Sequence, residues 1–474
     1  FLFKKMDKKS KKLFFFYCGW LFGFGYFFTN LYWITISLTF NSNFSFLIPI
    51  AQVLIPSFIA LFYGLATLIF YLFNLKNVLS AFFLFTLLFG ITEFVRGNIL
   101  TGFPWNLIIY GLSKNLNFIS LLSVIGTYSL NLIVITFFSA PAIFILRKSN
   151  KEIGVCIFLL LLPILFLIYG STYKQNFLNK EIIKNPYTIR IVGSNISLDR
   201  FYENSHTEEV IDKLIKISSP DQNKKIFFLW PEGIIPNVYQ DQFKKYKDKF
   251  SDNFNENHLI GLGINSTLLM ESDTKYYNSF STFDSNLNLI NSYNKINLVP
   301  FGEFLPFESL LNKIGLEVIT NNLGSFTNGE LRNIIIIENN YFNQFKFLPL
   351  ICYEIIYSGN LSNDDNFDFI FNISEDGWFG KSIGPKQHFT HGIFRAIESG
   401  KYVLRSSNNG MSAIINPIGE IEGKIDYGQD SFIDFYETRK NVTTIFSQYG
   451  NKIFFIIILL YIFLVFSFNR IKNE

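Results

Sequence analysis

Long apolar stretches separated by short basic connections occupy the first third of the chain and recur at its end. A helix needs about 20 mostly apolar residues to cross a bilayer, and residues 13–170 carry only eight charged side chains. The pattern therefore predicts a polytopic α-helical membrane domain. Its predicted spans are residues 13–37, 46–73, 78–97, 116–146, 153–172 and 453–468.

Residues 173–452 show a different pattern, in which short apolar runs alternate with charged and turn-forming residues. Amphipathic spacing predicts helices at 204–217 and 387–399, the second closed by Gly400. Many strands with few helices are typical of an α+β or layered sandwich fold around one core. Strands are predicted at residues 188–196, 225–230, 259–264, 280–293, 332–338, 345–351, 367–373, 402–406 and 411–416.

Basic residues indicate how the spans are oriented, because positively charged loops stay on the cytoplasmic side of a membrane. With six spans, the start from Lys4 to Lys12, the loop at residues 147–151 and the tail at Arg470 fall on one side. Residues 173–452, called the aqueous region below, fall on the other side. We therefore expect a multi-span membrane domain at 1–172, an external domain at 173–450, and a C-terminal transmembrane helix with a cytoplasmic tail at 451–474.

Composition narrows the classes of function. The chain of 474 residues is 49% hydrophobic with a net charge of only +4, and it has no basic stripe with interleaved aromatics, so we expect no nucleic-acid partner. It also has no cluster with metal-ligand spacing and no glycine-rich nucleotide loop, so we expect no metal and no cofactor. Cys18 and Cys156 lie inside apolar runs, whereas Cys352 is the only thiol of the aqueous region.

Four reactive side chains follow apolar runs of the aqueous region. Glu232 ends FFLWPE, Lys295 and Glu303 lie in YNKINLVPFGEFLPF, and Cys352 ends FLPLIC. A thiol attacks as its thiolate, a carboxylate in apolar surroundings can act as general base, and an ammonium can stabilise an oxyanion. Taken singly, each residue is more often a turn, solvated or core residue. A Cys–His pair is an alternative that the spacing does not support; the histidines are His206, His258, His388 and His391.

The ordered set of these four residues resembles the nitrilase superfamily, whose Glu–Lys–Cys triad lies on an αββα sandwich. Longer stretches resemble the apolipoprotein N-acyltransferase family within it. These stretches are WPEG from Trp230, KINLVPFGEFLPF from Lys295, CYE from Cys352, NISEDGWFGKSIGPKQH from Asn372, RAIESGKYVLRSSNNG from Arg395 and GNILTGFPWN from Gly97. The resemblance implies a catalytic triad of Glu232, Lys295 and Cys352. It implies supporting roles for Glu303, Tyr353 and Glu354.

Three features depart from the family pattern. The family usually has eight spans, so we expect a further hairpin before the first basic loop. It often has a Trp after the first sandwich strand, where this sequence reads DRFY at 199–202, which leaves the aromatic role open between Phe201 and Tyr202. The usual Asn–Asp–Ala–Trp–Phe pattern is replaced by SEDGWF at 374–379, which keeps the Trp–Phe pair.

In the membrane part, Glu93 and Arg96 are three residues apart on a predicted helix, and an interfacial ion pair is their default interpretation. Phe103 and Trp105 are expected to be anchors at the membrane interface. The alternative is that this loop shapes an entrance for a lipid headgroup.

The family resemblance implies a two-step acyl transfer in the bacterial inner membrane, with a periplasmic catalytic domain. Cys352 would take the sn-1 acyl chain of a phospholipid, typically phosphatidylethanolamine, as a thioester. The free amine of diacylglyceryl-cysteine in an apolipoprotein would then accept the chain. One alternative is a membrane-tethered amidase or nitrilase acting on a soluble carbon–nitrogen substrate, and another is a non-catalytic lipid or lipoprotein carrier.

The apolar stretch from Phe301 to Ile319 is expected to be a mobile lid through which lipid reaches Cys352. Apolar residues beside a membrane-facing site can enter the interface. Phe304 and Leu311 belong to this stretch, and Trp378 with Phe379 would form the facing wall.

Overall fold

The computed structural model divides the chain into two compact units. The helical unit comprises Phe1–Asn176, Tyr357–Asn360 and Thr444–Glu474, and the sheet unit comprises Phe177–Ile356 and Leu361–Thr443. The residues that the structure describes are 8–40, 42–201, 207–269, 274–306, 308, 325–338, 342, 344–359, 361 and 366–470.

Helices are numbered along the described part of the chain. The α-helices are α1 (Lys8–Asn30), α2 (Ile48–Phe73), α3 (Val78–Asn98), α4 (Leu116–Ile119), α5 (Leu122–Ser139), α6 (Pro141–Leu146), α7 (Asn150–Leu178), α8 (Thr207–Ser218), α9 (Lys247–Ser251), α10 (Gly384–Ser399), α11 (Ile445–Tyr449) and α12 (Lys452–Arg470). Short 3-10 helices occupy Tyr32–Thr39, Ser42–Leu47, Ile108–Leu112, Leu198–Phe201, Gln240–Tyr246, Cys352–Ile356 and Asp376–Phe379.

Within the described residues, five helices are long and apolar enough to cross a membrane: Phe44–Phe73, which includes α2, and then α3, α5, α7 and α12. Helix α1 and the 3-10 helix after it, bent by 48°, make a sixth if the pair is one span. Long apolar helices are therefore confirmed at the predicted spans 46–73, 78–97, 153–172 and 453–468, and α5 lies within the span predicted at 116–146. Two predictions were too long: 13–37 continues past the end of α1 at Asn30, and 116–146 is divided among α4, α5 and α6.

Helices α1 and α2 approach each other closely because α1 presents glycines to α2. A Cβ atom added at Gly19 would lie 2.3 Å from the carbonyl oxygen of Tyr63. At the same contact the hydroxyl of Thr67 donates to the Phe15 carbonyl oxygen at 2.7 Å. Inside a membrane the hydrophobic effect does not drive helices together. Close packing at small residues and hydrogen bonds from hydroxyl groups do so instead.

Glu93 and Arg96 form an ion pair inside the helical unit. The Arg96 Nε atom donates to Glu93 Oε2 at 2.8 Å, and the Tyr63 hydroxyl donates to Glu93 Oε1. The two charged residues are 0% and 3% exposed, so the pair is internal rather than on the surface of the unit. Arg96 also donates to the carbonyl oxygen of Phe103, which fixes the loop that follows α3.

The loop between α3 and Ile108 is held mainly through its carbonyl groups. The Tyr26 hydroxyl donates to the Asn106 carbonyl oxygen at 3.0 Å, and the Tyr357 hydroxyl donates to the Thr101 carbonyl oxygen at 2.8 Å. Trp105 is 2% exposed, so its side chain packs in the unit instead of projecting outward as an anchor would. These contacts make the loop a fixed part of the helical unit.

The sheet unit contains two sheets. Their orders are β12-β1-β2-β3-β4-β5 and β11-β10-β9-β8-β7-β6. The strands are β1 (Ile182–Gly193), β2 (Ile226–Leu229), β3 (His258–Leu269), β4 (Thr274–Asp284), β5 (Leu289–Asn294), β6 (Ile335–Ile337), β7 (Phe345–Ile351), β8 (Phe369–Glu375), β9 (Tyr402–Asn408), β10 (Ser412–Ile415), β11 (Ile421–Ile425) and β12 (Ser431–Arg439).

Aromatic side chains fill the space between the two sheets. Phe227 of the first sheet has its ring centroid 5.7 Å from Phe345 and 5.4 Å from Phe371 of the second. Ile211 of α8 packs with Phe228 on the outer face of the first sheet, and α10 contacts β9 and β10 of the second. This layering is the αββα sandwich that the resemblance implied.

Most strand predictions match the observed elements, and β7 matches the predicted 345–351 at both ends. The single strand predicted at 280–293 is wrong, because the chain reverses between β4 and β5. Asp284 causes the reversal: its carboxylate accepts from the backbone nitrogens of Asn286 and Asn288 at 2.9 and 2.8 Å. Strands β11 and β12 were not predicted.

Candidate active site

The ends of three strands carry the side chains predicted to be catalytic. Glu232 follows β2 after Trp230 and Pro231, Lys295 directly follows β5, and Cys352 directly follows β7. Strands β2 and β5 belong to one sheet and β7 to the other. The site therefore combines groups from both sheets of the sandwich.

Lys295 lies between two carboxylates. Its Nζ atom is 3.2 Å from Glu232 Oε1 and 2.9 Å from Glu303 Oε1. The amide nitrogen of Asn278 donates to the same two oxygen atoms, at 2.7 Å each. Lys295 is 1% exposed, so one ammonium faces two carboxylates with water largely excluded.

The second oxygen of each carboxylate is fixed by the backbone. Glu303 Oε2 accepts from the Val299 nitrogen at 2.8 Å, and Glu232 Oε2 accepts from the Glu375 nitrogen at 3.0 Å. The Glu232 backbone lies directly against β3, because a Cβ atom at Gly263 would be 2.4 Å from the Glu232 Cα atom. Both carboxylates are thus held in one orientation before any substrate binds.

Burial and charge set the protonation of this group. Burial alone would lower the pKa of Lys295, but Glu232 and Glu303 outweigh it and raise the pKa well above its ordinary value. The shift favours the charged form of Lys295. Burial raises the pKa of the Glu303 carboxyl, although the charge of Lys295 opposes the change.

Cys352 has a backbone φ of 48°, in the left-handed region that residues other than glycine rarely adopt. Strained conformations of this kind concentrate at active sites. Burial first, and then the charge of Glu232, raise the pKa of the Cys352 thiol well above its ordinary value, while Lys295 lowers it. The resting group is accordingly a thiol, and attack by its sulfur requires a base.

Glu354 supports the site by joining chain segments. Its Oε1 atom accepts from the Tyr293 hydroxyl at 2.7 Å, the Ile296 nitrogen at 3.0 Å and Arg332 Nη2 at 2.9 Å. Burial opposes ionisation, but Arg332 and these donors hold the pKa of Glu354 below its ordinary value. Glu354 thus ties the segment around Lys295 to the segment around Cys352. Tyr353 is buried beside it.

The aromatic residues predicted to face the lid are half-buried. Trp378 stacks on Phe201 with a centroid distance of 5.6 Å, and Phe379 lies 5.4 Å from the His388 ring. Of the two residues considered for the aromatic role, Phe201 is the one that stacks on Trp378. Tyr202 lies outside the described residues. Phe304 is half-buried, and Leu311 also lies outside the described residues, as does most of the predicted lid.

Two contributors escaped the sequence analysis. Asn278 sits in the middle of β4, and its role depends on which strands pair, which no local motif reveals. The His388 ring lies 3.1 Å from the backbone carbonyl oxygen of Cys352. This contact is to the backbone, whereas the Cys–His pair considered above would join the ring to the thiol. The only signal for His388 was its place in the stretch NISEDGWFGKSIGPKQH.

The arrangement can carry out nucleophilic acyl chemistry. It offers a buried thiol, a carboxylate to remove its proton, and a cation to stabilise an oxyanion. Among the residues described by the structure, no group of three or more His, Cys, Asp or Glu side chains is arranged to hold a metal ion.

Two protein-family models match the chain. Residues 1–140 match the model described as the apolipoprotein N-acyltransferase N-terminal domain, and residues 222–433 match the model described as carbon-nitrogen hydrolase. Each match falls on a different part of the chain, the first on the helices and the second on the sandwich.

Proteins similar to this chain include three apolipoprotein N-acyltransferases. The protein from Brucella suis is 32% identical over 430 residues, covering 88% of this chain and 79% of its own. The protein from Rhodopseudomonas palustris is 30% identical and covers 91% and 82%, and that from Agrobacterium fabrum is 30% identical and covers 96% and 86%. An amidase structure from Nesterenkonia sp. is 13% identical, covering 55% of this chain and 92% of its own, with a TM-score of 0.37.

Proposed function

The chain belongs to the apolipoprotein N-acyltransferase family, and from this premise we propose that Cys352 carries an acyl chain as a thioester from a phospholipid to a lipoprotein precursor. The protein is a multi-pass membrane enzyme, an N-acyltransferase of the carbon–nitrogen hydrolase superfamily. The observation that supports the site assignment is the buried Lys295 ammonium between Glu232 and Glu303, next to a buried thiol on a left-handed backbone.

In the first step Glu232 takes the proton of the Cys352 thiol while the sulfur attacks the ester carbonyl carbon of the phospholipid. The negative charge that develops on the carbonyl oxygen is stabilised by Lys295. The intermediate collapses with cleavage of the ester C–O bond, and Glu232 returns the proton to the departing alkoxide. The products are a lysophospholipid and a thioester on Cys352.

In the second step the amine of diacylglyceryl-cysteine attacks the thioester carbonyl. Glu232 accepts a proton from the amine, the C–S bond breaks, and the Cys352 sulfur recovers its proton as the amide product leaves. Because the resting sulfur is protonated, Glu232 must remove the thiol proton in the first step and return a proton to the sulfur in the second. Glu303 holds Lys295 in place and keeps its charge.

Intact-mass analysis tests the thioester. After incubation with phospholipid the wild-type protein should gain one acyl chain, which hydroxylamine should remove. Cys352→Ala should gain none, because the structure places no other thiol at this site. An adduct that persists in Cys352→Ala would refute the assignment.

The same preparation separates the alternative functions. A labelled phospholipid and a diacylated peptide should give labelled peptide. A tethered amidase would instead release ammonia from a soluble amide, and a carrier would bind lipid without forming a covalent adduct. The amidase alternative is not favoured, because residues 1–140 match the N-terminal domain of the acyltransferases.

We propose phosphatidylethanolamine as the donor and the bacterial inner membrane as the location, with the sheet unit in the periplasm. The basic start of the chain and the basic loop at 147–151 support this orientation. Reporter fusions after Ser149 and within the exposed turn at Asn286 should report opposite sides of the membrane. Identical reports from both fusions would overturn the orientation.

We further propose that Trp378, Phe379 and Phe304 line the path of the acyl chain, together with Leu311. The half-buried stack of Trp378 on Phe201 supports an apolar wall at this position. Trp378→Ala should raise the phospholipid KM more than it lowers kcat, because the residue contacts the chain and not the reacting carbonyl. An unchanged KM would remove Trp378 from the path.

A further inference from the structure

A network of fully buried polar side chains lies behind the nucleophile, and the acyl-transfer steps above do not use it. His388 on α10 has its Nε2 atom 3.1 Å from the carbonyl oxygen of Cys352 and its Nδ1 atom 2.9 Å from Asp376 Oδ1. The Nη2 atom of Arg405 lies 2.9 and 2.8 Å from the two Asp376 carboxylate oxygens. All three side chains are 0% exposed. Because water does not reach them, they hydrogen-bond to one another and to their buried neighbours.

The contact to Cys352 has a defined polarity. A carbonyl oxygen only accepts, so His388 Nε2 must carry a hydrogen and donate. On the other side of the ring, Asp376 accepts from Nδ1 when the imidazole is charged. Arg405 Nη2, 3.2 Å from Nδ1, donates to it when the imidazole is neutral. The bond to the Cys352 carbonyl therefore persists in either protonation state.

The same carboxylate also binds a residue of β8, the strand next to β7. Ser374 Oγ donates to Asp376 Oδ1 at 2.7 Å. Asp376 thus orients His388, which contacts the Cys352 carbonyl, and Ser374 of β8. The left-handed conformation is costly for a residue with a Cβ atom, so contacts that hold the Cys352 backbone help to maintain it.

We propose that His388 is a positioning residue for the nucleophile, which holds the Cys352 carbonyl so that the left-handed backbone directs the sulfur toward Glu232 and Lys295. The residue does not touch the substrate. The inference rests on the proposed function only in that Cys352 is the nucleophile.

Two substitutions separate the two contacts of the ring. His388→Gln places an amide N–H near the position of Nε2, so it can keep the bond to the Cys352 carbonyl. His388→Asn places an amide near the position of Nδ1, so it can keep the bond to Asp376 only. Both replacements are polar, uncharged and smaller than the ring, which makes each the control for the other.

Three measurements are made on both variants in the full-length enzyme: the rate of thioester formation, the phospholipid KM, and the alkylation rate of Cys352 by iodoacetamide across pH, read on the Cys352 peptide. A displacement of about 1 Å at a reacting group can cost about 100-fold in rate. We expect His388→Asn to lose about that much with KM unchanged, and His388→Gln to lose under about 10-fold. The alkylation profile of His388→Gln should match wild type, and that of His388→Asn should not.

Equal rates of thioester formation in the two variants, or losses that follow their melting temperatures instead of the retained contact, would overturn the inference. If wild-type protein forms no thioester, the proposed function fails. The alkylation profiles still decide the role of His388 in that case, because they require no acyl donor.

Discussion

The two units each bury a charged cluster, and the clusters differ in their balance of charge. In the helical unit, Glu93 and Arg96 pair one carboxylate with one guanidinium, and Tyr63 takes up the remaining carboxylate oxygen. In the sheet unit, Lys295 faces two carboxylates, Glu232 and Glu303. The first cluster is neutral and satisfied, whereas the second has one carboxylate more than its cation can neutralise.

The difference shows how a buried charge serves structure in one place and chemistry in another. A neutral, fully bonded pair has no reason to exchange protons, so it fixes chain geometry. A cluster with surplus carboxylate has a site for one proton, and the thiol of Cys352 can supply it. Proton exchange is therefore expected only in the sheet unit.

Removing the proton acceptor should have the largest effect. Glu232→Gln keeps the shape of the side chain but replaces one carboxylate oxygen with an NH2 group. The amide cannot take the thiol proton. General bases contribute about 100- to 10,000-fold, so we expect a loss in that range in the rate of thioester formation, measured by rapid quench and mass analysis. Retention of near-normal rates would assign the base elsewhere.

Removing the cation should cost slightly less. Lys295→Met keeps the length of the side chain and loses the ammonium, and loss of one oxyanion donor costs about 100- to 1,000-fold. Thioester formation should fall by that factor while the protein remains folded by circular dichroism. A rate close to that of wild type would make Lys295 a packing residue.

Breaking the neutral pair should affect stability instead of rate. Arg96→Met leaves the Glu93 carboxylate buried without its cation, which typically costs about 3–5 kcal/mol, and the melting temperature should fall accordingly. The double variant Glu93→Gln, Arg96→Met leaves no buried charge and should recover part of the loss. Thioester formation per folded molecule should stay near wild type; a selective loss of this rate would instead favour the lipid-entrance role of the loop.

The smallest expected effect concerns Glu354, whose pKa is held below its ordinary value of 4.5. A carboxyl with a depressed folded pKa contributes stability above its unfolded pKa and loses that contribution as pH falls through the folded value. Glu354→Gln should therefore lower the melting temperature at neutral pH, and the difference from wild type should shrink as pH falls below about 4.5. A difference that grows on acidification would contradict the structural role.

Sequence patterns predicted the position of Cys352 in the fold correctly, because the apolar run of β7 ends at Ile351, directly before it. The turn between β4 and β5 was missed because side-chain caps from Asp284 create it inside an otherwise strand-like segment. Strands β11 and β12 lie at sheet edges and expose many of their residues, so their alternation was too weak to detect. Asn278 and His388 reach the site only through strand order and helix packing, which local patterns do not encode.

The last helix of the chain has a consequence for biogenesis. Ser80 of α3 donates from its hydroxyl to the Val465 carbonyl of α12 at 2.8 Å, across 385 positions of sequence, and Phe83 stacks on Phe468. Domains usually fold in the order of synthesis, yet α3 must wait for the ribosome to finish the entire sheet unit before its neighbour exists. The helical unit, although translated first, is therefore the part of the enzyme that is completed last, and a nascent chain interrupted anywhere in the sheet unit carries an unfinished membrane part.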